Sequence, residues 1–160
     1  MSSTDYLITI ALALLPISEL RGAIPYAYFN GSPLLLAAAL GVVVNLLVAP
    51  LAYIFLGSLH NLFYRVWQWY RSFFDRFVQR ARMRVEHHFS KWGYLGLAVF
   101  VGVPLPITGA WTAALGAWVL GLKKKETILA ISFGVFISAT IVTLIIAFGV
   151  GVDSIFIKRF

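Results

Sequence analysis

Apolar residues run through this chain in four long stretches, roughly 6–29, 33–57, 93–122 and 127–150, parted by short polar turns and one long basic segment. The second and fourth stretches hold no charged residue and exceed the roughly 20 residues that a helix needs to cross a bilayer. The first and third are each broken in the middle. Leu15-Pro16-Ile17-Ser18 interrupts one, and Leu105-Pro106-Ile107-Thr108 interrupts the other at an offset of ninety residues. Proline has no N–H to give a helix and its ring clashes with the preceding turn. Each break therefore leaves two arms of about 10–13 residues, a length that suits re-entrant half-helices better than one straight crossing. At the same offset Ser18 aligns with Thr108, Ala27 with Ala117 and Gly31 with Gly121. The pattern predicts an all-α integral membrane protein of one domain, 1–160. It comprises repeat 1 (6–57), a linker helix (58–92) and repeat 2 (93–150), each repeat being a re-entrant hairpin followed by a transmembrane helix.

Charge placement orients these elements. Arg65, Arg71, Arg76, Arg80, Arg82, Arg84 and Lys91 lie in the linker, and Lys123-Lys124-Lys125 directly follows the third stretch. Basic clusters favour the cytoplasmic side, and both clusters lie there only if the third stretch dips into the membrane and returns. One crossing per repeat then makes the repeat inverted. Lys158 and Arg159 would lie outside in this arrangement, and a four-crossing bundle is the alternative that keeps them inside. Within the linker, Phe63, Val66, Trp67, Tyr70, Phe73, Phe74, Phe77 and Val78 recur at helical spacing between arginines. A basic helix with an aromatic face is expected in the headgroup plane on the cytoplasmic side, where it attracts anionic lipid or simply sets topology.

Composition narrows the class. The chain is 61% hydrophobic and only 12% charged, with a mean hydropathy of +0.88, against about 25% charge in soluble domains. It is expected to be a multi-pass protein of the plasma membrane. The net charge of +7 then serves orientation and headgroup contact rather than nucleic acid. The absence of cysteine excludes disulfides and thiolate sites. The residues before Tyr6 lack the basic start of a secretory signal, so the first stretch is expected to be retained. Glu86-His87-His88 has no metal-ligand spacing, and no nucleophile elbow, Walker loop or dinucleotide fingerprint is present. Neither an enzyme nor a cofactor nor a metal site is expected.

Chemistry concentrates in the first hairpin. Among acidic, basic and histidine residues, the first 64 positions hold only Asp5, Glu19, Arg21 and His60. Charge at membrane depth is costly and faces a cavity or a partner. Two positions apart, Glu19 and Arg21 do not share a helical face. They pair only across irregular backbone, or each reaches to the second repeat; a structural ion pair at the tip is the alternative to a binding site. Ser18 and Thr108 are suitable N-caps for the second arms. That would aim two half-helix N-termini, with their partial positive charge, at the bilayer centre, where they suit an anion. Arg21 adds a phosphate-matching fork. Burial disfavours a charged Glu19 while Arg21 and the helix end favour it, so this carboxyl is a candidate proton carrier. Substrate or proton binding is thus expected at Ser18, Glu19, Arg21 and Gly22, and at Thr108, Gly109 and Trp111 of the second hairpin, which has no ionisable residue. Asn45 joins them as a substrate contact or an interhelical hydrogen bond. Pro16, Pro25, Pro104 and Pro106 are expected at the hairpin tips.

Over Ile17-Ser18-Glu19-Leu20-Arg21-Gly22-Ala23-Ile24-Pro25 and Pro104-Leu105-Pro106-Ile107-Thr108-Gly109-Ala110-Trp111 the chain resembles the small multidrug export family, itself similar to the DedA/VTT superfamily. The resemblance covers most of the chain and implies paired re-entrant hairpins, an inverted repeat and a homodimer. It also implies proton-dependent translocation of lipids, including polyprenyl phosphate carriers. Glu19 and Arg21 match the acidic and basic positions of the first hairpin. DedA-like relatives commonly carry another arginine in the second, where this chain has Gly109-Ala110-Trp111. Three functions are consistent with these features. The first is a proton-coupled transporter or flippase for anionic lipid-linked or amphiphilic substrates. The others are a multidrug exporter of lipophilic cations and a non-transporting membrane scaffold.

Overall fold

The computed structural model describes residues 1–58, 66, 68–105 and 108–157, and all regular structure among them is helical. Seven helices follow in order: α1 (Ser3–Leu14), α2 (Glu19–Phe29), α3 (Leu34–Leu46), α4 (Val48–Ser58), α5 (Gln68–Gly102), α6 (Ala110–Val119) and α7 (Lys124–Ile157). Pro106, Arg65, Phe63, Trp67, Lys158 and Arg159, which entered the expectations above, lie outside the described residues, as do the side chains of Tyr70, Arg71, Phe73 and Phe77.

Among the described residues two stretches are long and apolar enough to cross a membrane, Leu34–Ser58 and Lys124–Gly149. The first is α3 and α4 joined at Leu47, and Pro50 explains the joint. Its missing N–H leaves the Leu46 carbonyl without its helical donor, and the Leu47 N–H turns to Val44 O at 3.2 Å instead. The broken stretches form pairs of short helices, as their length required. Helices α1 and α2 flank the tip at 15–18, and the end of α5 and α6 flank the tip at 103–109. Gly93 divides α5: its φ of 58° bends the chain where the linker gives way to the second apolar stretch. Close by, a Cβ on Gly96 would lie 2.9 Å from the His88 carbonyl carbon, so the bend requires glycine at both positions. Part of the linker's apolar face is used on protein: Ala81 is buried with Leu56 and Leu115, and Phe74 and Val78 pack against them. Arg76, Arg80 and Arg82 stay exposed.

The offset of ninety reappears in backbone hydrogen bonds. After α2, Gly31 N–H reaches Tyr28 O at 3.1 Å and Ser32 N–H reaches Ala27 O at 3.0 Å. After α6, Gly121 N–H reaches Trp118 O at 3.1 Å and Leu122 N–H reaches Ala117 O at 2.9 Å. Both are Schellman turns around a left-handed glycine, Gly31 at φ 89° and Gly121 at φ 67°. Each turn leads straight into one of the long apolar helices. Packing follows the same correspondence, since α2 touches both α3 and α7 while α6 touches both α7 and α4. Small residues bring these helices close, with Ala23, Ala27, Ala113 and Ala117 fully buried. At Gly134 of α7 a Cβ would stand 2.6 Å from Ala98 O. Without water to drive association, close backbone approach of this kind is what holds membrane helices together.

Candidate functional site

Both hairpin tips meet inside this bundle, and the first helix shows what such a meeting must satisfy. The last four carbonyls of a helix have no partner within it, and away from water each must be satisfied by protein. For α1 all four are satisfied. Leu15 N–H reaches Ala11 O at 3.0 Å, and the Ser18 hydroxyl donates to Leu12 O. Asn45 Nδ2 donates to Ala13 O at 2.9 Å, and the Trp111 indole N–H donates to Leu14 O at 2.8 Å. Three of the residues expected to bind substrate therefore tie off one helix end. Asn45 is almost wholly enclosed and makes the interhelical hydrogen bond that was one of its two expected roles.

Glu19 opens α2 and is 6% exposed. Its φ of 45° is the one left-handed backbone angle among the described non-glycine residues, a conformation that costs a side-chain-bearing residue about 1–2 kcal/mol. From that position its carboxylate crosses to the other hairpin. Oε2 accepts from the Ala110 N–H at 3.3 Å and Oε1 from the Trp111 N–H at 3.4 Å, the first two amides of α6. Gly109 makes room for it, because a Cβ there would lie 2.6 Å from the Glu19 carboxyl carbon and closer still to both oxygens. Arg21 also crosses, its Nη1 donating to Leu105 O in the second tip. Its Nη2 is enclosed without a hydrogen-bond partner. Of the two sequence-based arrangements for this pair, the structure has the second: each reaches across rather than to the other.

The capping expectation needs correction. Ser18 stands before α2, but its φ/ψ of −97°/−50° is helical and its side chain makes no cap. N-cap residues need an extended backbone to fold a side chain over the first amides, so the hydroxyl turns back to Leu12. Thr108 lies one residue too early, since Gly109 holds the N-cap position of α6. The Thr108 hydroxyl donates to carbonyls within its own tip, Val103 O at 2.8 Å and Leu105 O at 3.0 Å. The cap of α6 is Glu19, ninety-one residues away. Of the prolines, Pro16 and Pro104 sit at the tips, whereas Pro25 lies inside α2. Helices at membrane depth accommodate such a proline when neighbours take up the freed carbonyl. Gly22 is pressed against Ser18, where a Cβ would come within 2.7 Å.

An apolar cavity of about 810 Å³ adjoins these groups, lined by the first tip from Leu15 to Ser18, by α4, by α5 and by Trp111 and Leu115 of α6. Sequence reasoning missed it, because its walls come from four separate segments. It also missed the role of Gly109 as the seat of a carboxylate.

Residues 19–141 match the family described as putative small multi-drug export protein. The chain belongs to that family. The matched region begins at Glu19, directly after the first tip, and takes in α2, the linker, the second tip and about half of α7. No curated protein and no solved structure matches the chain. Membership and the two long apolar helices together make this a membrane protein of an export family. Among the described residues no cluster of acidic and histidine side chains is arranged to hold a metal.

Proposed function

We propose that this member of the export family is a small secondary transporter or flippase of DedA-like type, coupled to protons and moving anionic amphiphiles, lipid-linked ones included. The observation that carries this reading is the Glu19 carboxylate seated on the first two amides of α6. A helix N-terminus is an anion seat, and here the chain fills it with its own anion. Ionised Glu19 holds the seat closed. Protonated, it accepts far more weakly, and a substrate phosphate or carboxylate takes its place beside the Arg21 fork. Deprotonation returns Glu19 to the amides and expels the substrate, so proton and anion exchange at one point.

The matched Schellman turns and the cross-packing of α2 and α6 support an inverted repeat of two re-entrant hairpins, each followed by one crossing. In that arrangement the linker arginines and the Lys123 to Lys125 triplet share the cytoplasmic face of the plasma membrane, and two chains form the working dimer. The family's printed description supports a second reading, export of lipophilic cations with Glu19 as counter-ion. Reconstituted vesicles with an imposed pH gradient separate them. For anion transport, Glu19→Gln abolishes pH dependence and Arg21→Met abolishes uptake. For cation export, Glu19→Gln abolishes export and Arg21→Met leaves it. Retained pH dependence in Glu19→Gln would remove Glu19 from the coupling step.

A further inference from the structure

The cavity beside the first tip has a chemistry of its own. Phe55 and Leu56 of α4, Phe74 of α5 and Leu115 of α6 face it, and Ile17, 89% exposed, stands at its mouth. Only two lining residues carry polar atoms, Ser18 and Trp111, and both are committed to carbonyls of α1. The walls therefore offer a ligand almost nothing to hydrogen-bond. The volume lies within the usual range of roughly 300–1,000 Å³ for small-molecule sites.

Polarity appears behind one wall. Trp111 lines the cavity and gives its backbone N–H to Glu19. The Glu19 charge is thus engaged by α6, while Arg21 keeps an enclosed Nη2 without a partner. Towards the linker, Phe74 lies on the same helix as the exposed Arg76 and Arg80, and a basic surface helix gathers anionic lipid.

We infer that this cavity is a slot for the hydrocarbon tail of an anionic amphiphile, seating the tail while the headgroup lies toward Arg21. The assignment rests on the anion-transport reading for its headgroup and adds the place where the substrate's tail is held. Trp111 becomes the positioning residue that ties the two halves: its ring bounds the tail, its indole holds α1 and its amide holds Glu19.

The test uses the full chain in phosphatidylcholine vesicles doped with phosphatidylglycerol carrying a diazirine in one acyl chain, with no gradient applied. Photolabelling should concentrate on Phe55, Leu56 and Leu115 over the exposed Leu36, Val43 and Phe133. Ile17→Trp, a change at an exposed position, should narrow the mouth. Excluding about two methylene groups from apolar contact should lower cavity labelling roughly tenfold. Labelling spread evenly over the exposed apolar residues, or unchanged in Ile17→Trp, would overturn the slot. A quaternary ammonium amphiphile of equal chain length, labelling the cavity as well as the anionic probe, would overturn the anionic assignment. Because no transport is measured, loss of the proton-coupling reading in Glu19→Gln leaves this result standing, and the reverse also holds.

Discussion

Replacing Gly109 by alanine tests the cross-hairpin seat with one methyl group. The backbone there is extended, φ −169° and ψ 179°, so alanine meets no conformational penalty and should gain about 0.4–1 kcal/mol through the unfolded state. The new Cβ would instead lie 2.6 Å from the Glu19 carboxyl carbon and force the carboxylate off α6. Hydrogen bonds to a charged group contribute about 1.5–3 kcal/mol each. At 3.3 and 3.4 Å both are long and fall at or below the low end, together about 2–3 kcal/mol. The single variant should therefore lose roughly 1–2.5 kcal/mol net. In a Glu19→Ala background no carboxylate remains to displace, and Gly109→Ala should be neutral or slightly stabilising. Equilibrium unfolding of the four proteins in mixed micelles, followed by helical circular dichroism, gives the coupling energy, expected at about 2–3 kcal/mol. Additivity within about 0.5 kcal/mol would mean that Glu19 does not occupy the seat, and the transport mechanism would fall with it.

Three further outcomes follow from the same geometry. Glu19→Gly and Glu19→Ala both lose the carboxylate, but glycine accepts the positive φ, so Glu19→Gly should be the more stable by about 1 kcal/mol in the same unfolding assay. Asn45→Leu and Trp111→Phe each orphan one carbonyl at the end of α1, and each should cost about 1–3 kcal/mol while combining additively with Gly109→Ala only for Asn45→Leu. Hydrogen bonds from the Ser2 backbone and hydroxyl hold the Asp5 carboxyl below the usual 3.8. A depressed carboxylate stabilises the fold above its unfolded pKa and loses that contribution as pH falls through the lower folded value. Hydrogen exchange in the first turn of α1 should accordingly rise only in strong acid, and Asp5→Asn should abolish that step.

How much of this was legible in the sequence varies with the range of the interaction. Arm lengths, the two long apolar helices and the offset of ninety follow from local hydropathy and from Pro16, Gly31 and Gly121, which act within a turn of themselves. The bend at Gly93 falls where the apolar stretch resumes, a local signal of the same kind. The capping of α6 was not. Ser18 and Thr108 are good caps by residue type, but whether a hydroxyl caps depends on the backbone angle at its own residue, which the opposing tip sets. Asn45 and Trp111 were visible as polar groups in apolar helices, and their partners, carbonyls of α1, carry no side-chain signature at all. The cavity is a property of four segments that the sequence leaves apart.

The asymmetry of the two hairpins has a physical reason that neither copy shows alone. Position 109 is the counterpart of position 19 at the offset of ninety, and one holds glycine where the other holds glutamate. Two glutamates facing each other in this buried position would repel, and a buried charge without a partner is costly. Two glycines would leave the buried first amides of α6 without the acceptor that they have in Glu19. Glutamate opposite glycine resolves both constraints, since the missing side chain at 109 is the space that the carboxylate of Glu19 fills. Two hairpin tips that meet in this way thus require unlike residues where they face each other. In the transport cycle proposed above a single proton opens this centre, and an entering anion meets Arg21 and two vacated amides at once.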